Sequence, residues 1–130
     1  KLGDRFTATF SVRSSVNAEK EGLITKLKEL ADFYNGTYSQ SGTYPAWEFK
    51  KDSRLRDVMV PIYTRMFGKE PKVLAIHAGL ECGLLGDKLP GLDCVSIGPQ
   101  MHDIHTSREK LEIASTKRTW DFLLEVLKAL

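Results

Sequence analysis

The chain has three histidines, and each lies in a stretch where chemistry could be done. His77-Ala78-Gly79-Leu80-Glu81-Cys82-Gly83 brings an imidazole, a carboxylate and a thiol together. Its glycines allow tight turning and a close approach of backbone to a ligand. A helix starting near Leu80 would turn free N–H groups toward an anion such as a carboxylate. The same residues read equally well as a plain strand-to-helix turn. A thiolate needs a base or cation beside it, and Glu81 next to Cys82 works against that, so a cysteine nucleophile is disfavoured. His102-Asp103-Ile104-His105 holds the other two histidines. Neutral imidazole is a common zinc ligand and a carboxylate often orients it. His-x-x-His alone, however, is also what a solvated polar loop looks like. A set made of His77, Cys82, His102 and His105 lacks the paired cysteine spacing that marks a zinc site. Arg13 stands among Ser11, Ser14 and Ser15 and could hold a carboxylate in a bidentate grip, or be an ordinary strand charge.

The elements that must position these groups follow from periodicity. Residues 6–13 alternate, with Phe6, Ala8, Phe10 and Val12 on one side and Thr7, Thr9, Ser11 and Arg13 on the other, which predicts a half-buried strand. Asn17 reads as an N-cap, and Leu23, Ile24, Leu27, Leu30, Ala31 and Tyr34 follow helical spacing. Gly36 stands where a left-handed residue is expected past the helix end. Residues 37–44 read as a polar strand, and 45–53 as a crossing between units. A second helix carries Leu55, Val58, Met59, Ile62, Tyr63 and Met66, with Gly68 after it; Pro61 within the pattern should either kink the helix or mark a later start. Short apolar strands are expected at 73–76 and 94–97, with a short helix over 79–85 between them. The last helix, starting near Ser115, presents Trp120, Leu123, Leu124, Leu127 and Leu130 as its core face, widened by Phe122 and Val126. Apolar strands alternating with helices predict an α/β fold with a largely parallel sheet.

Composition narrows the function further. The 130 residues are 42% hydrophobic and 28% charged, which is ordinary for a globular protein of about one domain. Nineteen Lys and Arg against seventeen Asp and Glu leave a net charge of +2, too little to point to nucleic acid. No apolar run approaches the roughly 20 residues that span a bilayer, and no signal peptide pattern is visible. Two cysteines, with Cys94 in an apolar strand pattern, are too few for a disulfide scaffold, so a reducing compartment is expected. The chain starts Lys1-Leu2-Gly3 and enters a strand pattern almost at once, as a section of something longer would.

The string from His77 to Gly83 resembles the C-terminal part of aminoacyl-histidine dipeptidases, also called Xaa-His or cytosol non-specific dipeptidases. Ser96-Ile97-Gly98-Pro99, His105 with Glu109-Lys110-Leu111, and Thr119-Trp120 extend the match. So do Tyr44-Pro45-Ala46-Trp47 and Ser11-Val12-Arg13-Ser14-Ser15. The resemblance covers nearly the whole chain. It implies a co-catalytic zinc metallopeptidase related to carboxypeptidase G and the aminoacylases, with a catalytic α/β domain and an inserted lid.

On that resemblance, residues 1–46 are the end of the lid, a strand-helix-strand remnant. Residues 47–130 are the final helix and parallel-strand section of the catalytic domain. His105 matches the family's C-terminal metal ligand. His77, Gly79 and Glu81 match the loop facing the far end of the substrate, and Arg13 lies on the lid strand as a further substrate-binding candidate. His102 departs from the family pattern and receives no metal role. The resemblance implies two zinc ions per active site in the longer enzyme, with cobalt or manganese as substitutes. It implies a dipeptide substrate such as Xaa-His, a cytoplasmic location and no membrane or nucleic-acid partner, and it leaves a homodimer open. The metal-binding His, bridging Asp, general-base Glu and remaining carboxylate ligands belong to the N-terminal half of such enzymes. No catalytic residue is therefore expected in this chain, and the chain alone is expected to be inactive. The competing reading is a self-standing α/β binding module without catalysis.

Overall fold

The protein is described by a computed structural model covering residues 3, 5–77 and 81–130. In order along the chain come α1 (Asn17–Phe33), α2 (Arg54–Phe67), α3 (Glu81–Lys88), β1 (Met101–His102), β2 (Lys110–Leu111) and α4 (Ile113–Ala129). Among the described residues the fold is mixed and helix-rich, with a small sheet in which β1 and β2 pair antiparallel with Met101 opposite Leu111 and His102 opposite Lys110. The chain groups into two compact units: Lys1–Phe49 with Ala75–Lys88, and Lys50–Leu74 with Leu89–Leu130. No helix among the described residues is long and apolar enough to cross a membrane.

The strands expected at 6–13, 37–44, 73–76 and 94–97 are not formed among the described residues, and the expected parallel sheet is absent there. The physical reason is pairing. Alternation says which side chains share a face, but a strand's N–H and C=O groups are satisfied only by a neighbouring strand. The faces those patterns define are correspondingly open: Phe10, Val73, Leu74 and Ile97 are all exposed.

The first unit is organised around residues 44–48. Asn17 does not cap α1; it begins the helix, and Val16 in the cap position makes no side-chain cap bond. The Asn17 side chain is engaged elsewhere, its Oδ1 accepting from the backbone N–H of Ala46 at 2.8 Å while its own N–H donates to Glu48 Oε1 at 2.8 Å. Lys20, only 8% exposed, donates from Nζ to the Tyr44 carbonyl at 2.6 Å and to Asn17 Oδ1 at 3.3 Å. A buried ammonium without such acceptors would be costly, so these bonds are what allow its burial. On α3, a Cβ at Gly83 would lie 3.1 Å from the Pro45 carbonyl oxygen, and glycine is what permits this approach. At the far end of α1 the left-handed residue is Asn35 (φ 54), not Gly36. Asparagine tolerates this region better than most side chains, and the Gly36 N–H then reaches the Ala31 carbonyl at 2.7 Å.

The second unit has a definite core. Met59 and Ile62 of α2 meet Phe122 and Val126 of α4, with Leu55, Val58, Tyr63, Met66, Phe67 and Val95 packed around them. Tyr63 and Phe122 meet edge-to-face at 5.5 Å, a favoured aromatic geometry. The core face of α4 therefore differs from the expected one. Phe122 (5% exposed) and Val126 (2%) form it, while Trp120 and Leu127 remain 59% exposed and Leu130 55%. At 100° per residue Phe122 and Val126 share a line, and Trp120 and Leu127 lie about a third of a turn away, so α4 carries two apolar faces of which α2 covers one. Helix α2 starts at Arg54 and runs through Pro61 to Gly68, whose φ of 68 fits the expected glycine stop.

The start of α2 is capped twice. Ser53 Oγ accepts from the Arg56 N–H at 3.1 Å and donates to Asp93 Oδ1 at 2.7 Å, while Asp93 Oδ2 accepts from the Leu55 N–H at 2.9 Å. Two of the helix's orphan donors are thus satisfied, one of them by a carboxylate at the positive end of the helix dipole. The Leu55 N–H bond holds the Asp93 carboxyl below its ordinary range, against partial burial that opposes it; the Ser53 hydroxyl and the charges of Lys50 and Arg56 add to the lowering. A carboxyl lowered on folding contributes stability that is full above its unfolded pKa and is lost as pH falls through the folded value. Asp93→Ala should cost about 1–2 kcal/mol at neutral pH. In denaturant titrations the gap between wild type and variant should close as the pH drops below about 4, the ordinary carboxylate range. An equal gap at pH 7 and pH 2 would contradict this role.

Candidate functional site

His105 stands on the connection between β1 and β2, in the second unit. Sequence patterning reads this stretch as a loop and misses the hairpin, because paired strands of two residues carry no periodicity. The hairpin is fastened to α4. Ser115, 5% exposed, accepts from the Gln100 N–H at 2.8 Å and donates to the Glu112 carbonyl at 2.6 Å. The Glu112 N–H returns to the Gln100 carbonyl at 3.0 Å. Because α4 packs on α2 through Phe122 and Val126, this small polar knot ties the hairpin to the core of its unit.

The tip of the hairpin is braced from within. The Asp103 carbonyl accepts from Thr106 twice, from its N–H at 3.2 Å and from Oγ1 at 2.7 Å. Thr106 Oγ1 accepts from the Arg108 N–H at 3.2 Å, and the Thr106 carbonyl accepts from the Glu109 N–H at 3.2 Å. Asp103 (φ 50) and His105 (φ 66) are both left-handed. Such a conformation costs about 1–2 kcal/mol for an L-residue, less for Asp and His than for branched side chains. An opposing interaction is present at His105: its N–H donates to Glu109 Oε2 at 2.8 Å, and a hydrogen bond to a charged group contributes roughly 1.5–3 kcal/mol. The magnitudes are comparable, so the carboxylate offsets the strain. His105 itself is exposed at this tip.

The remaining candidates belong to the first unit. Arg13 is exposed, His77 is exposed just before the undescribed stretch 78–80, and Glu81 is exposed in the first turn of α3. Gly79 lies outside the described residues. Among the described residues no group of three or more His, Cys, Asp or Glu is gathered as a metal site requires. The second unit holds two imidazoles, His102 and His105, short of the three or more ligands that a zinc ion takes from protein. Cys82 and Cys94 are both half-buried and form no disulfide. Glu109 is the site residue that reading the sequence for function missed: its action runs through a backbone N–H, for which residue type gives no signal.

Against models of known protein families the chain finds no match. It is 34% identical over 117 residues to the cytosol non-specific dipeptidase of Escherichia coli (strain K12), an alignment covering 90% of this chain and 24% of that protein. Its fold matches the crystal structure of an aminoacylhistidine dipeptidase from Vibrio alginolyticus with a TM-score of 0.77 at 31% identity, again over 90% of this chain and 24% of that one. The chain thus spans about a quarter of the length of these relatives. Sequence and fold agree in relating it to a section of the aminoacyl-histidine dipeptidases.

Ser115→Ala removes the partner of the Gln100 N–H in a part-buried bond and should destabilise the second unit by about 0.5–1.5 kcal/mol. Amide NMR signals of residues 100–111 should move more than those of α2. A variant whose hairpin signals stay at wild-type positions would contradict the knot's role in holding the hairpin.

Proposed function

We propose that this chain is the C-terminal section of a zinc-dependent dipeptidase that hydrolyses the peptide bond of unblocked dipeptides such as Xaa-His. The observation that carries this reading is the unbroken similarity, in sequence and in fold, of nine-tenths of the chain to two dipeptidases. In this reading residues 1–46 are the end of the lid and 47–130 the final section of the catalytic domain. The location in this reading is cytoplasmic, which the similarity to a cytosol non-specific dipeptidase supports.

The chain's own residues then have distinct tasks. His105 supplies one imidazole ligand from the tip of a hairpin anchored to α4. His77, Gly79 and Glu81 face the far end of the dipeptide, and Arg13 on the lid grips a carboxylate of the substrate. Arginine suits a carboxylate through its planar pair of donors. A zinc pair, if bound with His105 as one of its ligands, would supply Lewis-acid polarisation of the peptide carbonyl and a water of lowered pKa. The other ligands and the general base come from the rest of the enzyme, since this chain contributes one ligand of the several required.

Two outcomes follow. The isolated chain, assayed on an Xaa-His dipeptide with added zinc, should show no turnover above a metal-free control; measurable zinc-dependent turnover would overturn the division of labour. In the full-length enzyme, His105→Ala should lower kcat/KM by more than about a hundredfold, because even residues that only orient metal ligands cost 10–100-fold. It should weaken one metal site while circular dichroism stays native. Activity near wild type would remove His105 from the ligand set.

A further inference from the structure

We propose that the uncovered face of α4 is the docking surface for a β-sheet supplied by the part of the polypeptide outside residues 1–130. The proposal rests on reading the chain as one section of a longer enzyme, and it goes beyond that reading by naming the surface that joins the two. Three observations carry it. The face is free of charge: at 100° per residue Ile113, Trp120, Leu123, Leu127 and Leu130 fall within a sector about 100° wide that holds no ionisable side chain. All five are exposed. The charged side of the helix, by contrast, is already partnered, Lys117 with Asp121, Arg118 with Glu112, and Glu125 with both Lys128 and Arg65 of α2. The second observation is unpaired backbone beside the same helices. Val95 packs against the α2–α4 seam, yet among the described residues no N–H or C=O of residues 94–97 bonds to other backbone. An apolar strand-patterned segment against two helices is part of an α/β layer whose sheet lacks its neighbouring strands, and helices cover such sheets with apolar faces. The third is length. The chain matches 24% of each relative, so most of such a polypeptide lies outside it. Five side chains on one helix fall short of the about 20–30 residues a side that join separate molecules stably. A segment of the same polypeptide avoids the translational and rotational cost of association, so a small face is enough to seat it.

The test places a photo-crosslinking side chain on the face, Leu127→benzoylphenylalanine in the full-length enzyme, and maps the adduct by mass spectrometry. The expected adduct joins position 127 to a residue encoded upstream of Lys1 in the same molecule. Hydroxyl-radical footprinting of the unsubstituted proteins is the second readout. Trp120 and Leu127, 59% exposed in this chain, should be modified at least about fivefold more slowly in the full-length enzyme, as burial to the level of a core residue requires. The amides of residues 94–97 should exchange with solvent at least about a hundredfold more slowly there, as pairing into a sheet requires. An adduct between two enzyme molecules would make the occupant a second copy and overturn the proposal. An adduct within residues 1–130 does the same. So do equal footprinting rates in the two proteins, which decide the matter if the substituted enzyme fails to fold. Amides at 94–97 that exchange equally fast in both would show that the occupant is not a sheet, and a reading frame with nothing encoded before Lys1 would leave no occupant; either overturns it. Failure of the family reading looks different. A full-length protein without zinc-dependent dipeptidase activity, whose position 127 still joins to the upstream section, would sink the proposed function and leave the docking surface standing.

Discussion

A β-strand is completed by its neighbour, because half of its backbone groups point sideways and find partners only in another strand. That constraint shapes what this chain can build. Helices satisfy their own backbones, and a hairpin contains both of its strands, so α1–α4 and the β1–β2 pair form. The strand-patterned segments at 6–13, 37–44, 73–76 and 94–97 have no such internal partner among the described residues. Their apolar faces stay open, and so does the second apolar face of α4. Buried apolar side chains concentrate in one seam, Met59 and Ile62 against Phe122 and Val126. Full burial of such side chains contributes roughly 1.5–3 kcal/mol each, which makes this seam the principal apolar support of its unit.

From that seam, order is passed outward by polar contacts. The seam orients α4, Ser115 at its start holds Gln100 and Glu112, and these set the base of the hairpin. Thr106 and Glu109 then stiffen the tip, ending at a left-handed His105. The start of α2 is secured by the Ser53–Asp93 pair. The first unit works differently: residues 44–48 accept and donate the bonds that satisfy Asn17 and Lys20, and Gly83 lets α3 approach them. In both units single polar residues take over where apolar burial is thin.

The three longer helices are legible in the sequence because a 3.6-residue period needs only local information, and Gly68 marks an end that the backbone confirms (φ 68). Which face of α4 is buried is not local information. Leucine-rich spacing points to Trp120 and Leu127, while the partner helix takes Phe122 and Val126, and only the partner decides. Asn17 looks like a cap by type, yet its side chain is claimed by Ala46, distant in sequence. Asn35 takes the left-handed position expected of Gly36, one residue earlier, because either type can adopt it. At the candidate site, His105 is legible through the motif around it and not through His-x-x-His spacing. The brace from Glu109 is invisible to both, since a backbone N–H has no residue identity.

The account makes this chain one part of an enzyme whose other ligands lie elsewhere in the same polypeptide, and its similarity to a quarter of each relative is the ground for that. The most direct measurement is the sequence of the reading frame running into Lys1 from upstream. A continuous frame encoding a His-x-Asp motif and a Glu-Glu pair is the predicted result, because those residues would complete the proposed metal site with His105 as one ligand. A reading frame that opens with its own initiator Met at Lys1 would contradict the account and leave the chain as a binding module.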